Sequence, residues 1–322
     1  MSSLYILPTF IGDSILMASG IIDQFKDEPS IVIANPQTAP LFEDLPNLEK
    51  LIVLRKKPWQ QHWIDAWKET RGRSWDRVIN FRKAGLPYFL RAKKHMVWKD
   101  SMTSPFHIVQ QVTDCFGYKT PLSPTLWLSP ERLARTKPSR PILAVSPIPG
   151  WKGKQWPIES FIELLQKFCK AYPEAQVAIF VAPHEKEMIQ SLVESLPKNQ
   201  YLDTRWWPLL DCAALIHSSC LFLGNDSGLM HISAAVKTPT IALFGPSNEK
   251  IFGPFSAETP SPHRVIRGES FTGNVRQVKE TEHICYMTAL SVSQVWGTIQ
   301  EMWALHANKG GSPCVATSKG LT

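Results

Sequence analysis

One stretch, residues 220–247 (CLFLGNDSGLMHISAAVKTPTIALFGPS), constrains the fold of this chain more than any other. Cys220 to Gly224 is a short apolar run closed by glycine, which suits a buried strand of a parallel sheet. Asn225 and Asp226 supply turn and N-cap chemistry, and Ser227 and Gly228 allow tight backbone approach where a helix opens. That helix is predicted from Gly228 to about Val236, where Thr238-Pro239 stops it, and TIALF forms the next strand before the turn Gly245-Pro246-Ser247. Ligands of open α/β sheets gather at the carboxyl end of such a strand, and free amides plus the helix dipole favour a phosphate there. His231 follows Asp226 by five residues, so it either faces that mouth or packs in the core behind a simple helix cap.

The rest of the chain alternates strands and helices, which implies doubly wound parallel sheets. In the first half, Leu4 to Leu7, SIVIAN, LIVL and DRVINF read as strands, and FHIVQQVTDCFGY reads as an amphipathic helix. Asp13 stands at the N-cap position of SILMASGIIDQF. It either caps that helix or offers a carboxylate at the end of the first strand, kept ionised by the helix N-terminus. In the second half, ILAVSP, QVAIFV and the strands around residues 220–247 form another sheet. Lys152 and Lys154 lie on a loop ahead of the helix IESFIELLQKF, with Pro157 in its first turn. Glu185 in APHE reads as an exposed glutamate in the first turn of a helix. Trp207 is read as a cover for an adenine face or as a packing residue. LSVSQVWGTIQEMWAL is a terminal helix capped by Ser291 or Ser293.

A length of 322 residues predicts two domains. The prolines of PSRP, 138–141, mark the linker, since the charge balance changes there: residues 1–140 hold 20 Lys+Arg and 13 Asp+Glu, a net of +7, and residues 141–322 hold 15 of each. The positive clusters, Arg55-Lys56-Lys57, Arg71/Arg73, Arg82-Lys83 and Arg91/Lys93/Lys94, suit an anionic partner, either a phosphorylated glycolipid or a membrane face. No nucleic-acid-binding motif accompanies them. The six cysteines form no CxxC pair and no zinc-site cluster, which predicts reduced thiols. No apolar run is long enough to span a membrane, and the N-terminus has no basic region ahead of an apolar core, so the expected location is the cytoplasm.

GNDSGLMHISAAVKTPTIALFGPS resembles the signature of glycosyltransferase family 9, the ADP-heptose:lipopolysaccharide heptosyltransferases, over about twenty ungapped positions. Lys154-Gln155-Trp156-Pro157 resembles the family's K-x-W-P element, and FIGDSILMASGII its N-terminal G-D element. The resemblance implies a GT-B fold: a Rossmann-like acceptor domain over 1–140, a Rossmann-like nucleotide-sugar domain over 141–290, and a terminal helix over 291–307 returning to the first domain; the Gly/Ser/Lys-rich composition of 308–322 predicts a disordered tail. It implies that Asp13 is the catalytic base, that Lys154 contacts the donor diphosphate, and that Glu185 binds the donor nucleoside. Asp226, Ser227, Gly228 and His231 would meet the sugar or the phosphates. The chain departs from the family at Leu7-Pro8-Thr9-Phe10, where relatives carry basic or hydroxyl residues, and at Pro149-Gly150, where some carry hydroxyls.

The expected activity is inverting transfer of a heptose from an ADP-sugar donor to the anionic inner core of lipopolysaccharide. Without an Asp-x-Asp motif, and with a lysine and helix amides for the leaving diphosphate, no metal and no cofactor are expected. The chain is expected to act as a monomer, with peripheral contact at the inner membrane face as an option. Two alternatives stand beside this reading: transfer from another nucleotide sugar to another glycan, and nucleotide-sugar or glycan binding without turnover.

Overall fold

A computed structural model of the chain describes residues 2–82, 84–99, 104–268 and 285–307. Lys83, Cys314 and the tail expected to be disordered lie outside the described residues. The chain divides into two compact units, Met1–Ser129 and Pro130–Thr322. Each is built on one parallel sheet.

In the first unit the strands are β1 (Ser3–Ile6), β2 (Ser30–Ala34), β3 (Leu48–Val53), β4 (Trp75–Asn80) and β5 (Ala92–Val97), in the order β3-β2-β1-β4-β5. Every neighbouring pair is parallel. Leu4, Ile6, Ile31, Ile33 and Val78 fill the core, which is why these runs read as continuous apolar strands. β5 has no counterpart among the strands expected from sequence. It is an edge strand whose Lys93, Lys94 and His95 are exposed, so it carries charge where a central strand would carry valine.

The helical stretch after β1, α1 (11–23), differs from the expected regular helix. A single α-turn, Ile11–Asp13, passes into a π-helical segment, Ser14–Ser19, before Gly20–Asp23 closes as α-helix. The N-cap position belongs to Phe10, in extended backbone, so Asp13 is the third residue of the first turn and not the cap. The next helices are α2 (Gln61–Thr70) and α3 (Ile108–Cys115).

The second unit opens with α4 (Pro130–Arg135), whose Arg132 and Arg135 both hold Asp211. Its strands are β6 (Ile142–Ser146), β7 (Gln176–Ile179), β8 (Tyr201–Asp203), β9 (Leu221–Asn225), β10 (Thr240–Phe244) and β11 (Arg264–Arg267). They are all parallel, in the order β11-β10-β9-β6-β7-β8. Counted from β6, this is the 3-2-1-4-5-6 winding of a dinucleotide-binding sheet. The helices are α5 (Ile158–Ala171), α6 (Leu209–His217), α7 (Gly228–Ala235) and α8 (Val292–His306).

Ser291 caps α8 in a reciprocal box with Gln294. The helix expected to return to the first half buries Val295, Ile299, Met302 and Trp303 in the second unit's core. Trp303 meets Phe168 of α5 edge-on at 4.8 Å. Among the described residues no helix is long and apolar enough to cross a membrane.

Candidate active site

In the second sheet the order reverses between β6 and β9, so the loops leaving these two strands diverge and open a crevice at their carboxyl ends. Asn225, the last residue of β9, ties the two loops together. Its amide nitrogen donates to the Pro147 carbonyl at 2.7 Å, and its oxygen accepts from the Trp156 backbone N–H at 3.0 Å. Trp156 is fully buried and donates its indole N–H to the Leu290 carbonyl at 2.8 Å. The segment between Pro147 and Trp156 is thereby pinned at both ends, and Lys154 stands on it.

Lys154 Nζ donates to Asp226 Oδ2 at 2.6 Å, and His231 Nε2 lies 4.0 Å from Asp226 Oδ1. Asp226 is 6% exposed and its carboxylate is paired with the lysine beside it. Ser227 occupies the N-cap position of α7 without a side-chain cap, and its hydroxyl is buried with no hydrogen-bond partner among the described residues. Gly228 is the first residue of α7. The first-turn amides of α7 have no acceptor within the helix, by helix geometry. A lysine, a helix N-terminus and an unengaged hydroxyl at a switch point are the groups that an anionic ligand would need.

Two further hydroxyls, of Ser146 at the end of β6 and Ser247 after β10, are also buried without partners among the described residues. Sequence reasoning named neither as a site residue, since Ser146 closes a strand without a pattern of its own and Ser247 was read only as part of a turn. Arg267 holds the turn after β10 by donating to the carbonyls of Gly245 and Ser247.

The other expected donor residues follow β7 and β8 on the same edge of the sheet. Glu185 Oε2 accepts from the Ala182 backbone N–H at 2.8 Å, so one carboxylate oxygen caps its own turn. Trp207 is half-buried, whereas its neighbour Trp206 is 75% exposed, with the Lys186 ammonium over its ring. Nothing in the dipeptide distinguishes the two indoles in advance. Beside them the Arg205 guanidinium holds the Asp203 carboxyl down to about 2. Asp13, half-buried in the first turn of α1, belongs to the first unit, in the segment that leaves β1 where that sheet's order reverses. Among the described residues no three His, Cys, Asp or Glu side chains are placed to hold a metal ion.

Residues 82–264 match the family model described as glycosyltransferase family 9 (heptosyltransferase). The chain is 22% identical over 262 residues to a lipooligosaccharide heptosyltransferase 2 of Campylobacter jejuni, covering 75% of this chain and 80% of that protein. A family 9 glycosyltransferase structure from Veillonella parvula superposes with a TM-score of 0.80 at 17% identity, covering 94% of this chain and 97% of that one. The E. coli heptosyltransferase WaaC with ADP gives 0.71 at 17% identity, covering 94% and 100%. These two likenesses concern the fold, and the family match covers more than half of the sequence. The chain belongs to glycosyltransferase family 9, the heptosyltransferase family, and is a glycosyl-transfer enzyme.

Proposed function

We propose that the chain transfers a heptose from ADP-heptose to the anionic inner core of lipopolysaccharide, with inversion at the anomeric carbon. The observation that carries this reading is the Lys154–Asp226–His231 cluster at the N-terminus of α7. The donor diphosphate rests on the first-turn amides of α7 and on Lys154, which shares its charge between the phosphate and Asp226. Ser227 supplies a hydroxyl to the same oxygens, and Asp226 and His231 face the sugar. Glu185 and the tryptophans after β8 take the nucleoside.

Asp13 accepts the proton of the attacking acceptor hydroxyl. The acceptor oxygen bonds to the anomeric carbon as the bond from that carbon to the phosphate oxygen breaks, and the electron pair of the broken bond leaves with ADP. A weak base suffices when departure of the diphosphate leads proton removal, so positioning matters more than basicity. The positive first unit receives the phosphorylated acceptor.

The test is transfer from ADP-heptose to a heptose-deficient lipopolysaccharide core, followed by ADP release and by the anomeric configuration of the product. The expected result is an inverted product, formed equally well in the presence of EDTA. Turnover with a different nucleotide sugar, and none with ADP-heptose, would reassign the donor.

A further inference from the structure

Among the described residues of the second unit, the buried hydroxyls without a hydrogen-bond partner are those of Ser146, Ser227 and Ser247. They stand at the carboxyl ends of three neighbouring strands, β6, β9 and β10. Ser219 and Ser233, also buried, are satisfied locally: Ser219 Oγ donates to the Leu215 carbonyl at 2.7 Å and Ser233 Oγ to the Met230 carbonyl at 2.8 Å. A buried hydroxyl without a partner loses its water and gains nothing in return, so a group of them at strand ends marks a place where a ligand completes the bonds.

Ser247 is 6% exposed, and the ordinary structural task of a serine in its place is done by a neighbour. The short helix that follows, Glu249–Phe252, is capped by Asn248, whose side-chain oxygen accepts from the Lys250 backbone N–H at 3.0 Å. The turn itself is held through its backbone, by Arg267 on the carbonyls of Gly245 and Ser247, with Glu249 balancing the guanidinium. It packs against the segment that carries Lys154. A Cβ on Gly245 would strike Met287 Sδ and lie 3.6 Å from the Gly153 carbonyl oxygen, which itself accepts from the Tyr286 backbone N–H at 3.3 Å. Ser247 is therefore fixed beside the lysine loop with its hydroxyl unspent.

The strand order supplies a direction. Along the edge of the sheet the loops follow β8, β7, β6, β9 and β10 in turn, about 5 Å apart. In the proposed reaction, on which this inference rests, the nucleoside lies on the loops after β7 and β8, and the diphosphate on those after β6 and β9. A nucleotide sugar laid in that direction brings its sugar to the next loop, where Ser247 stands. Lys154 and the α7 amides already serve the phosphate charge, whereas a serine hydroxyl both donates and accepts, as a sugar hydroxyl does. We infer that Ser247 hydrogen-bonds a ring hydroxyl of the transferred sugar and so discriminates among donor sugars without touching the nucleotide.

The test is calorimetric titration of ADP and of ADP-heptose, without acceptor, into the full-length parent and into Ser247→Ala. Affinity for ADP is expected to stay within about twofold, and affinity for ADP-heptose to fall about tenfold, since one bond to the sugar is lost and none to the nucleotide. The unfolding temperature should hold or rise, because the variant removes an unsatisfied buried hydroxyl. Binding without acceptor needs neither turnover nor Asp13, so the comparison stands apart from the catalytic part of the transfer reading. A parent that binds no ADP sinks that reading and this inference together. With ADP bound, equal affinity of parent and variant for ADP-heptose overturns the inference alone. So does an equal loss towards ADP, which gives the hydroxyl to the phosphates, or a lowered unfolding temperature with both ligands weakened alike, which makes Ser247 a packing residue.

Discussion

The two sheets share a winding order, yet the helices that open at their switch points are built differently. After β9 the chain needs two residues, Asp226 and Ser227, to enter α7, and Asn225 clamps the facing loop through two hydrogen bonds. After β1 it runs through Leu7–Phe10, makes one α-turn and widens into the π-helical Ser14–Ser19. The wide segment is supported from outside: Ser19 Oγ donates to the Ile15 carbonyl and accepts from the Thr125 backbone N–H. A site held by a short contiguous run is legible in sequence; one that leans on a segment a hundred residues away is not.

The largest expected effect lies on the first side of this comparison. Asp13→Asn should lower kcat by about 10²–10⁴-fold and leave ADP affinity unchanged, because proton acceptance is lost while the second unit is untouched. Steady-state kinetics beside ADP titration checks it, and a parallel loss of both would move Asp13 out of the base role.

Acid should act on the second side. Burial lowers the His263 pKa from 6.5 to about 4. Its folded form is neutral where the unfolded form already takes a proton, so its contribution is intact above about pH 6.5 and is lost as pH falls towards 4. The difference corresponds to roughly 3 kcal/mol. Urea unfolding at pH 7 and pH 4 should show that loss in the parent and a smaller one in His263→Gln.

Gly20 sharpens the contrast on the first side. A Cβ there would stand 2.6 Å from the Leu122 carbonyl oxygen, which is backbone and cannot swing away. Gly20→Ala should cost about 1–3 kcal/mol in thermal unfolding. An unchanged melting temperature would mean that α1 does not depend on the 122–125 segment.

Most of the fold could be read from residue pattern, since β1, β2, β4, β6, β7, β9 and β10 are apolar runs bounded by turn residues. β5 escaped because exposed Lys93, Lys94 and His95 interrupt its apolar run, β8 because it is 3 residues long, and the π-helical turn because its side-chain spacing still resembles an α-helix. In the candidate site, the grouping of Lys154 and His231 around Asp226 at the start of α7 was legible from one motif and one short element. The clamp made by Asn225 and the exposure of Trp206 in place of Trp207 depend on packing that no local pattern encodes.

The most direct measurement is a calorimetric titration of ADP into the parent chain and into Lys154→Gln, which keeps a hydrogen-bond donor beside Asp226. An affinity loss of about tenfold or more, with unfolding temperature preserved, is the expected result. Equal affinity in the two proteins would contradict a diphosphate resting on Lys154 at the opening of α7.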